Sequence, residues 1–502
     1  MPALPFPDAE DELIATRLEK LRALREAGLD PFAVEKFERT NLAADVSARF
    51  DDLEGTVARM AGRVVAIRVM GKAQFMHIED GSGRIQIYLK KDTLGDEAYA
   101  RLNLVDSGDF LGFEGEVHKT RTGEVTIFVS SYQVLSKALR PLPFGKQTDE
   151  GKEYGTLVDV EERHRHRHLD LAVHPEVRER FRQRSAVVSS VRKTMERRGY
   201  MEVETPVLQR VAGGAAARPF RTHHNALNAD LNLRISLELE LKRLIIGGFE
   251  RVYEIGRVFR NEGISTRHNP EFTLMECYEA YANLEDVMGL VEDVYSSAAM
   301  ELYGEPSIPY GEGRISVAPP WRRLPLLEGI EQYAGVKPSE FETLESSLRA
   351  LEAVGLPTEG EHLVGGIIEK FLERFVQPNL KEPTFITNYP LETSPLAKKH
   401  PDNPKLVRRF EAYIALQEVG NAFSELNDPV DQWERFAAQA DLRAGGDEEA
   451  HPMDTEFVKA MTYGMPPTGG LGLGIDRMVM VLTDTASVRD VILFPQMKPE
   501  GA

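Results

Sequence analysis

Two apolar-alternating runs joined by a short polar loop, 251–260 and 271–281, constrain this chain more than any other feature. The first leads into Phe259-Arg260-Asn261-Glu262, the loop carries Arg267 and His268, and the second runs through Phe272, Leu274, Glu276 and Tyr278. Side chains alternate between the two faces of a strand. Glu254, Arg260 and Glu262 therefore share a parity, as do Phe272, Leu274, Glu276 and Tyr278, while Cys277 points the other way. One face gathers a guanidinium, carboxylates, a phenol and a ring, a set that is expensive to bury without partners. A solvated face would account for Glu254 alone, but not for Phe272 and Leu274 interleaved among the charges. The planar fork of Arg260 matches phosphate oxygens, and Phe272 offers a flat surface to adenine. The pair predicts a nucleotide site.

Downstream, Gly469-Gly470-Leu471-Gly472-Leu473-Gly474-Ile475-Asp476-Arg477 reads as a glycine-rich strand running into a helix. Arg477, just inside the helix start, can cover the second face of adenine or hold a γ-phosphate. The run lacks both the lysine-containing phosphate loop and the dinucleotide fingerprint, so neither of those folds is supported. Between these regions, 410–414 and 417–425 suggest a hairpin. Glu411 and Glu418 occupy its two arms, and Asn421, Phe423 and Glu425 lie on one face. Carboxylates that share a cation with phosphate oxygens suit Mg²⁺. Solvated strand-edge acids, which guard against aggregation, are the competing explanation.

The N-terminal part has a different rhythm. Residues 8–28 predict a helix, with Leu13, Arg17, Leu21 and Leu24 at helical spacing and Gly28 and Pro31 as a stop. From 57 to about 135, short β runs punctuated by Gly81-Ser82-Gly83 and Thr122-Gly123 predict a small closed barrel of OB type. Pro141 and Pro143 close it. A connector follows with Arg163-His164-Arg165-His166-Arg167-His168 at its centre. Alternating arginines repel a metal cation, so phosphate or a neighbouring subunit is the expected contact. From 175 onward, a helix, a strand stopped by Pro206, the strand pairs above and a helical acidic block near 285–375 predict an α+β fold, a mostly antiparallel sheet flanked by helices.

At 502 residues the chain has room for two or more domains. Its net charge of −19 argues against a generic nucleic-acid coat, though not against a local basic patch. Cys277 is the single cysteine, which excludes a disulfide framework and suits a reducing cytosol. No apolar stretch reaches the roughly 18 residues of a membrane span. The acidic start, with Asp8, Glu10, Asp11 and Glu12, is unlike a signal peptide. The expectation is a cytoplasmic protein with no membrane association.

Three of these motifs together resemble the class II aminoacyl-tRNA synthetases: 199–206 looks like motif 1, the dimer-forming helix and strand, 259–276 like motif 2 and 470–477 like motif 3. Gly213-Gly214-Ala215-Ala216-Ala217-Arg218-Pro219-Phe220, Thr222-His223-His224-Asn225, residues 259–265, residues 421–427 and Lys137-Ala138-Leu139-Arg140-Pro141-Leu142-Pro143 narrow the match. They resemble bacterial lysyl-tRNA synthetases over nearly the whole chain. The resemblance implies a helical extension (1–45), an OB-type anticodon-binding barrel (46–144), a connector (145–175) and a catalytic domain (176–502) with a helical insertion at about 285–375. It also implies a homodimer that uses ATP and Mg²⁺ to activate L-lysine as lysyl-adenylate and passes it to the 3′ end of lysine tRNA.

Residue roles follow from that resemblance. Arg260 would hold the α-phosphate and substrate carboxylate, Phe272 and Arg477 would sandwich adenine, and Glu262 would read its amino edge. Arg267 and His268 would sit near the phosphates, and Glu411 and Glu418 would hold the metal. Glu238 and Glu276 would receive the α-ammonium, and Tyr278 and Glu425 the side-chain ammonium, with Asn421 and Phe423 beside them. On the barrel, Arg68, Phe75, Gln86 and Glu124 match anticodon-reading positions, where Phe75 stacks on a base and Gln86 bonds to an edge.

The residues argue for the same substrate class by themselves. A pocket with Glu425 at its base wants a cation, and leaving that carboxylate unpaired costs about 3–5 kcal/mol. A phenol and one carboxylate suit a compact ammonium better than a guanidinium fork. Two departures stand out: Ala415-Leu416 replace glycines in the hairpin turn, and Leu237-Glu238-Leu239-Glu240 replaces Pro-Glu-Leu-Tyr. Ser236 is placed to cap a helix there, whose positive end suits Glu240. The competing expectation is a non-catalytic or regulatory relative that binds amino acid or RNA only. The joint presence of Arg260, Phe272, Arg477, Glu411, Glu418 and Glu425 speaks against it. A ligase that lysylates a protein would lack the barrel.

Overall fold

The computed structural model describes residues 12–147, 153–446 and 450–499. They fall in two units, Met1–His174 and Pro175–Ala502. Residues 8–11 of the expected first helix and 148–152 of the connector lie outside the described residues.

In the first unit, helix α1 (Glu12–Glu26) buries Ile14, Leu21 and Leu24. Leu13, expected on that stripe, is 59% exposed. Arg17 instead donates hydrogen bonds to the carbonyls of Ala138 and Ser107. The barrel strands are β1 (Val57–Met70), β2 (Ala73–Glu79), β3 (Arg84–Lys90), β4 (Phe110–Lys119) and β5 (Val125–Ser136), closed in the order β1-β2-β3-β5-β4. The long β1 pairs with both β2 and β4, and a bulge between Val64 and Ala66 bends it around the barrel. Alternation sorts the side chains: Met76, Ile78, Ile85, Ile87 and Leu89 face in, whereas Phe75, His77 and Tyr88 are less buried.

The Arg/His tract of the connector folds into two short helices, Val160–Arg165 and Arg167–Val173. Arg163 and Arg167 donate to the two oxygens of buried Asp170 at 2.7 and 2.5 Å, and His174 Nδ1 lies 2.8 Å from it. Two of the tract's three arginines are thus engaged by one internal carboxylate.

The second unit is built on one eight-stranded sheet. Its strands are β6 (Met201–Glu202), β7 (Arg251–Phe259), β8 (Glu271–Ala280), β9 (Arg322–Pro325), β10 (Thr384–Pro390), β11 (Leu406–Ile414), β12 (Gln417–Ser424) and β13 (Thr468–Gly474). They lie in the order β9-β10-β11-β12-β13-β8-β7-β6. Only the outermost pairs, β9/β10 and β6/β7, are parallel. This is the antiparallel α+β architecture expected from the sequence.

Three helices cover one face: α2 (Pro175–Arg197), α4 (Leu284–Tyr303) and α5 (Ile475–Leu482). Val191, Met195, Val291, Tyr295 and Met478 pack there against Met275, Cys277, Leu471 and Leu473. Helix α3 (Glu238–Ile246) sits with the other face, where Leu241 and Ile245 meet Val252, Val258 and Leu274. The parity of β8 thus has a physical reading. Cys277 enters the helical core, and Glu276 and Tyr278 are left for the opposite side.

The 285–375 block is less uniform than its helical periodicity suggested. Helix α4, capped by Asn283 and Asp286, belongs to the central core. A small hairpin, Ser307–Tyr310 with Gly313–Ser316, and strand β9 separate it from the helices Leu326–Ala334, Leu344–Ala353 and Val364–Phe371.

Candidate active site

A cavity of about 640 Å³ opens on the α3 side of the sheet. Its walls come from the ends of β7 and β8 with their loop, from β12 and β13, and from the starts of α3 and α5. Arg260, Glu262, Arg267, His268, Phe272 and Arg477 line it. So do Glu238, Glu276, Tyr278, Asn421, Phe423 and Glu425, together with Glu418. Glu411 is the one expected site residue of this unit that does not line it.

The Arg260 end of the cavity is set by the β7–β8 connection. Arg260 lies just past β7, its backbone N–H bonded to the Pro270 carbonyl at 2.8 Å and its Nε to the Ile235 carbonyl at 3.3 Å. The guanidinium carbon is 5.1 Å from the centroid of the Phe272 ring. Burial holds its pKa below the usual arginine range, with Glu262, Glu276 and Glu418 opposing that shift. In the loop, Ser265 Oγ is 3.0 Å from His268 Nδ1 and accepts the Arg267 and His268 N–H groups. Burial, reinforced by Arg477, pushes the His268 pKa down.

Arg477 is fixed by its place in the first turn of α5, and Nη1 donates to Glu418 Oε2 at 2.8 Å. The preceding Asp476 accepts from the Thr273 N–H at 2.8 Å and from Arg184 at 2.6 Å. That carboxylate locks the start of α5 to β8 and so sets the spacing between Arg477 and Phe272.

The opposite end is a buried acid cluster. Glu276 Oε1 accepts from Ser236 Oγ at 2.7 Å and from the Leu237 N–H at 3.0 Å, and Oε2 accepts from the Tyr278 hydroxyl at 3.1 Å. Burial and neighbouring Glu238 still push its pKa up to about 7. Burial also lifts Tyr278 well above the phenolic range. Glu425 is fully buried, and burial pushes it up to about 8 against the opposing pull of Lys242. Lys242 Nζ is 2.6 Å from Glu238 Oε1 and forms an ion pair with Glu425 Oε2. Neither Glu425 oxygen has a hydrogen-bond partner, and only Oε2 is engaged by the Lys242 ammonium. A Cβ at Gly470 would run into Oε1 and the Tyr278 ring, so only glycine keeps this end open.

The expected hairpin is β11–β12, with Glu411 opposite Asn421 and Glu418 opposite Tyr413. Its turn residues Ala415 and Leu416 both have positive φ, 51° and 65°. Left-handed conformations explain why glycine would be at ease there. Glu411 accepts from Arg409 at 2.6 Å and from the Tyr413 hydroxyl at 2.6 Å. Burial raises its pKa, Arg409 opposes that, and Glu418 adds to it. Mutual repulsion of this kind is what a divalent cation relieves. Among the described residues no group of three or more metal-type ligands converges. Glu411 and Glu418 alone would leave most of a cation's shell to water and phosphate, the manner in which Mg²⁺ is held.

Sequence reasoning missed Lys242, Arg409 and His451. Arg409 bonds Asn421 Oδ1 at 3.2 Å and lies 5.8 Å from the Phe423 ring, so it orders that wall. His451 lines the cavity, stacks on Phe436 and is pushed down to about 4 by burial and by Lys242. Only the i,i+4 spacing of Glu238 and Lys242 could have signalled the first of these. Glu254, grouped by parity with the site, is not part of it. It is buried, pairs with Arg234 at 2.6 Å and accepts from Thr205, so it ties β7 to the chain before it.

In the first unit, Arg68 stands opposite Phe75 on β1 and β2 and is exposed. Phe75, Tyr88 and Phe128 form a ring strip on the outer barrel face, with centroids 4.8 and 5.0 Å apart. Beside it, Gln86 Nε2 donates to Glu124 at 2.7 Å and Gln86 Oε1 accepts from Thr126 at 2.9 Å. Tyr88 and Phe128 continue the row of rings that Phe75 begins.

A fold of this kind, with a guanidinium and a ring at one end of the cavity and acids at the other, defines an enzyme that activates an amino acid with a nucleotide. The chain belongs to the class II tRNA synthetases (D, K and N), whose family model matches residues 159–498. The OB-fold nucleic acid binding domain matches residues 58–135. Over nearly its whole length the chain is similar to proteins named lysine–tRNA ligase. That of Moorella thermoacetica is 49% identical, covering 98% of this chain and 99% of the relative. That of Thermoanaerobacter pseudethanolicus is 48% identical over 98% and 97%, and that of Bacillus subtilis 46% over 97% of each.

Proposed function

We propose that this chain is a lysine–tRNA ligase that activates L-lysine with ATP and transfers it to the 3′ end of lysine tRNA. The observation that carries this reading is that Arg260 and Glu425 line one cavity. A guanidinium for phosphate and a buried, partly unpartnered carboxylate for a cationic tail thus serve one bound pair of substrates.

Phe272 and Arg477 hold adenine between them, and Glu262 reads its amino edge. Arg267 and His268 face the phosphates. Glu238 and Glu276 take the α-ammonium, and Tyr278 and Glu425 the side-chain ammonium, against the wall of Asn421 and Phe423. The lysine carboxylate attacks the α-phosphorus and displaces pyrophosphate, while Arg260 stabilises charge on the phosphorus-bound oxygens. A terminal ribose hydroxyl of tRNA then attacks the adenylate carbonyl and AMP leaves. Glu411 and Glu418 would hold Mg²⁺, which, when bound, neutralises phosphate charge.

The barrel reads the anticodon through the strip of Phe75, Tyr88 and Phe128 with Arg68, Gln86 and Glu124. Ring faces stack on bases whatever their sequence, and hydrogen-bonding edges discriminate among them. A second copy of the chain covers the exposed apolar residues Met201, Val207, Leu208 and Val211. The enzyme works in the cytoplasm; no helix among the described residues is long and apolar enough to cross a membrane.

The test is ATP–pyrophosphate exchange over a panel of amino acids. Lysine alone should support exchange. No exchange with any amino acid would favour a binding-only relative, and exchange with aspartate or asparagine would overturn the substrate.

A further inference from the structure

We propose that Lys242 is a specificity-determining positioning residue: its fixed ammonium neutralises one of the pocket's carboxylates and aims the free oxygen of Glu425 at the substrate's side-chain ammonium. The inference deepens the lysine-activating function above and rests on it. Lys242 is fully buried on α3, one turn beyond Glu238. Its Nζ binds Glu238 Oε1 at 2.6 Å and pairs with Glu425 Oε2. With that oxygen held, Glu425 Oε1 is left without a partner beside Gly470, in the space that glycine keeps clear.

Charge counting gives the arrangement its meaning. The ionisable groups lining this end are Glu238 from α3, Glu276 and Tyr278 from β8, Glu425 beyond β12, and His451; Lys242 of α3 does not line it but pairs with Glu238 and Glu425. Three carboxylates and one ammonium leave two negative charges. The α-ammonium and side-chain ammonium of lysine supply two positive ones, and its carboxylate falls to Arg260. An amino acid with an uncharged tail leaves a buried carboxylate unbalanced. Without Lys242, three acids would crowd one dry site, and the cheapest relief is protonation of one of them. That would remove the acceptor the substrate's ammonium needs.

The sign of the pH effect follows. Glu425, already pushed up to about 8 by burial, is held down by Lys242. Removing the cation drives it higher, so lysine binding to the variant requires a higher pH. His451, at about 4, stays neutral throughout that window.

The experiment compares the full-length wild type with Lys242→Met, Lys242→Gln and Lys242→Arg in exchange assays from pH 6.5 to 9.5. KM values for lysine and ATP are measured, and norleucine, which has lysine's shape without its side-chain charge, is the competitor. The expected result for K242M is a lysine KM raised roughly 30-fold at neutral pH, as for truncating one member of a buried charge pair. Its ATP KM stays within about twofold, its selectivity over norleucine falls, and its pH inflection moves up by about one unit. K242R, which keeps the charge, holds the wild-type inflection. If K242M fails to fold by circular dichroism, K242Q must meet the same criteria. Equal changes in lysine and ATP KM, an unmoved inflection in the neutral variants or a displaced one in K242R would overturn the proposal. Absence of lysine-dependent exchange in the wild type would instead overturn the function on which it rests.

Discussion

Arg260, just past the end of β7, and Phe272, near the start of β8, meet across one hairpin, the guanidinium carbon of the first 5.1 Å from the ring centroid of the second. The ring and the backbone bonds around the loop fix the guanidinium before any substrate arrives. Preorganisation of this kind is what electrostatic catalysis needs, because no reorganisation is left to be done as charge develops. Arg260→Ala is expected to slow lysine-dependent exchange by about 10²–10³ while the thermal transition stays unchanged. Arg260→Lys should rescue little, since a point charge lacks the fork. Exchange rates within twofold of wild type for R260A would show that the phosphate is held elsewhere.

Glu425→Gln separates substrate from nucleotide. The amide keeps the shape but removes the charge opposite the side-chain ammonium, at a cost of about 3–5 kcal/mol. Lysine KM should rise by about two to three and a half decades, with ATP KM nearly constant. Equal losses in both constants would make Glu425 a packing residue.

The acid cluster predicts a pH signature. Burial pushes Glu276 up to about 7 and Glu425 up to about 8, above the ordinary carboxylate range. Below about pH 4, where carboxyls are protonated in the unfolded chain as well, the shifts cost no stability. As pH rises toward 8 the unfolded chain ionises first, so the substrate-free protein loses stability through that window. Lysine, which brings two ammonium groups, favours the ionised acids. Its binding at pH 7 should therefore release protons and tighten as pH climbs to about 8. Calorimetry in buffers of different ionisation enthalpy measures this directly, and proton uptake on binding would contradict the assignment.

Much of this site was legible because a strand has period two. Parity alone placed Phe272, Leu274, Glu276 and Tyr278 together and sent Cys277 to the helical core. Parity also misled, since it enrolled Glu254, whose partner Arg234 comes from a segment seventeen residues before β7. Lys242 was silent for a related reason. A lysine in a helix ordinarily faces water, and only the tertiary approach of Glu425 reveals that this one is buried. In the Arg/His connector, too, sequence showed the charges but not that Asp170 lies within reach of Arg163 and Arg167. Local pattern reports which face a residue takes, not which distant charge meets it there.

The β11–β12 turn offers a test of backbone strain. Leu416 holds φ at 65°, a region that costs an L-residue about 1–2 kcal/mol and a β-branched one more. Leu416→Gly should leave stability unchanged or raise it slightly, as relief of strain opposes added chain entropy. Leu416→Ile should lower it by about 1–2 kcal/mol. Because the turn sets the spacing of Glu411 and Glu418, the isoleucine variant should also need more Mg²⁺ for half-maximal exchange. Identical melting curves for both variants would place the strain elsewhere.

Phe75→Ala divides the two halves of the proposed reaction. The ring stands on the outer barrel face at 4.8 Å from Tyr88, and its removal opens no cavity in the barrel interior formed by Met76, Ile78 and Ile87. Loss of one stacked base is worth about 1–3 kcal/mol. Charging of lysine tRNA should therefore fall by about one to two decades in kcat/KM. Exchange, which needs only the cavity of the second unit, should proceed at the wild-type rate. A parallel loss of exchange would mean that the substitution damages the fold. Charging at the wild-type rate would move RNA recognition away from the ring strip.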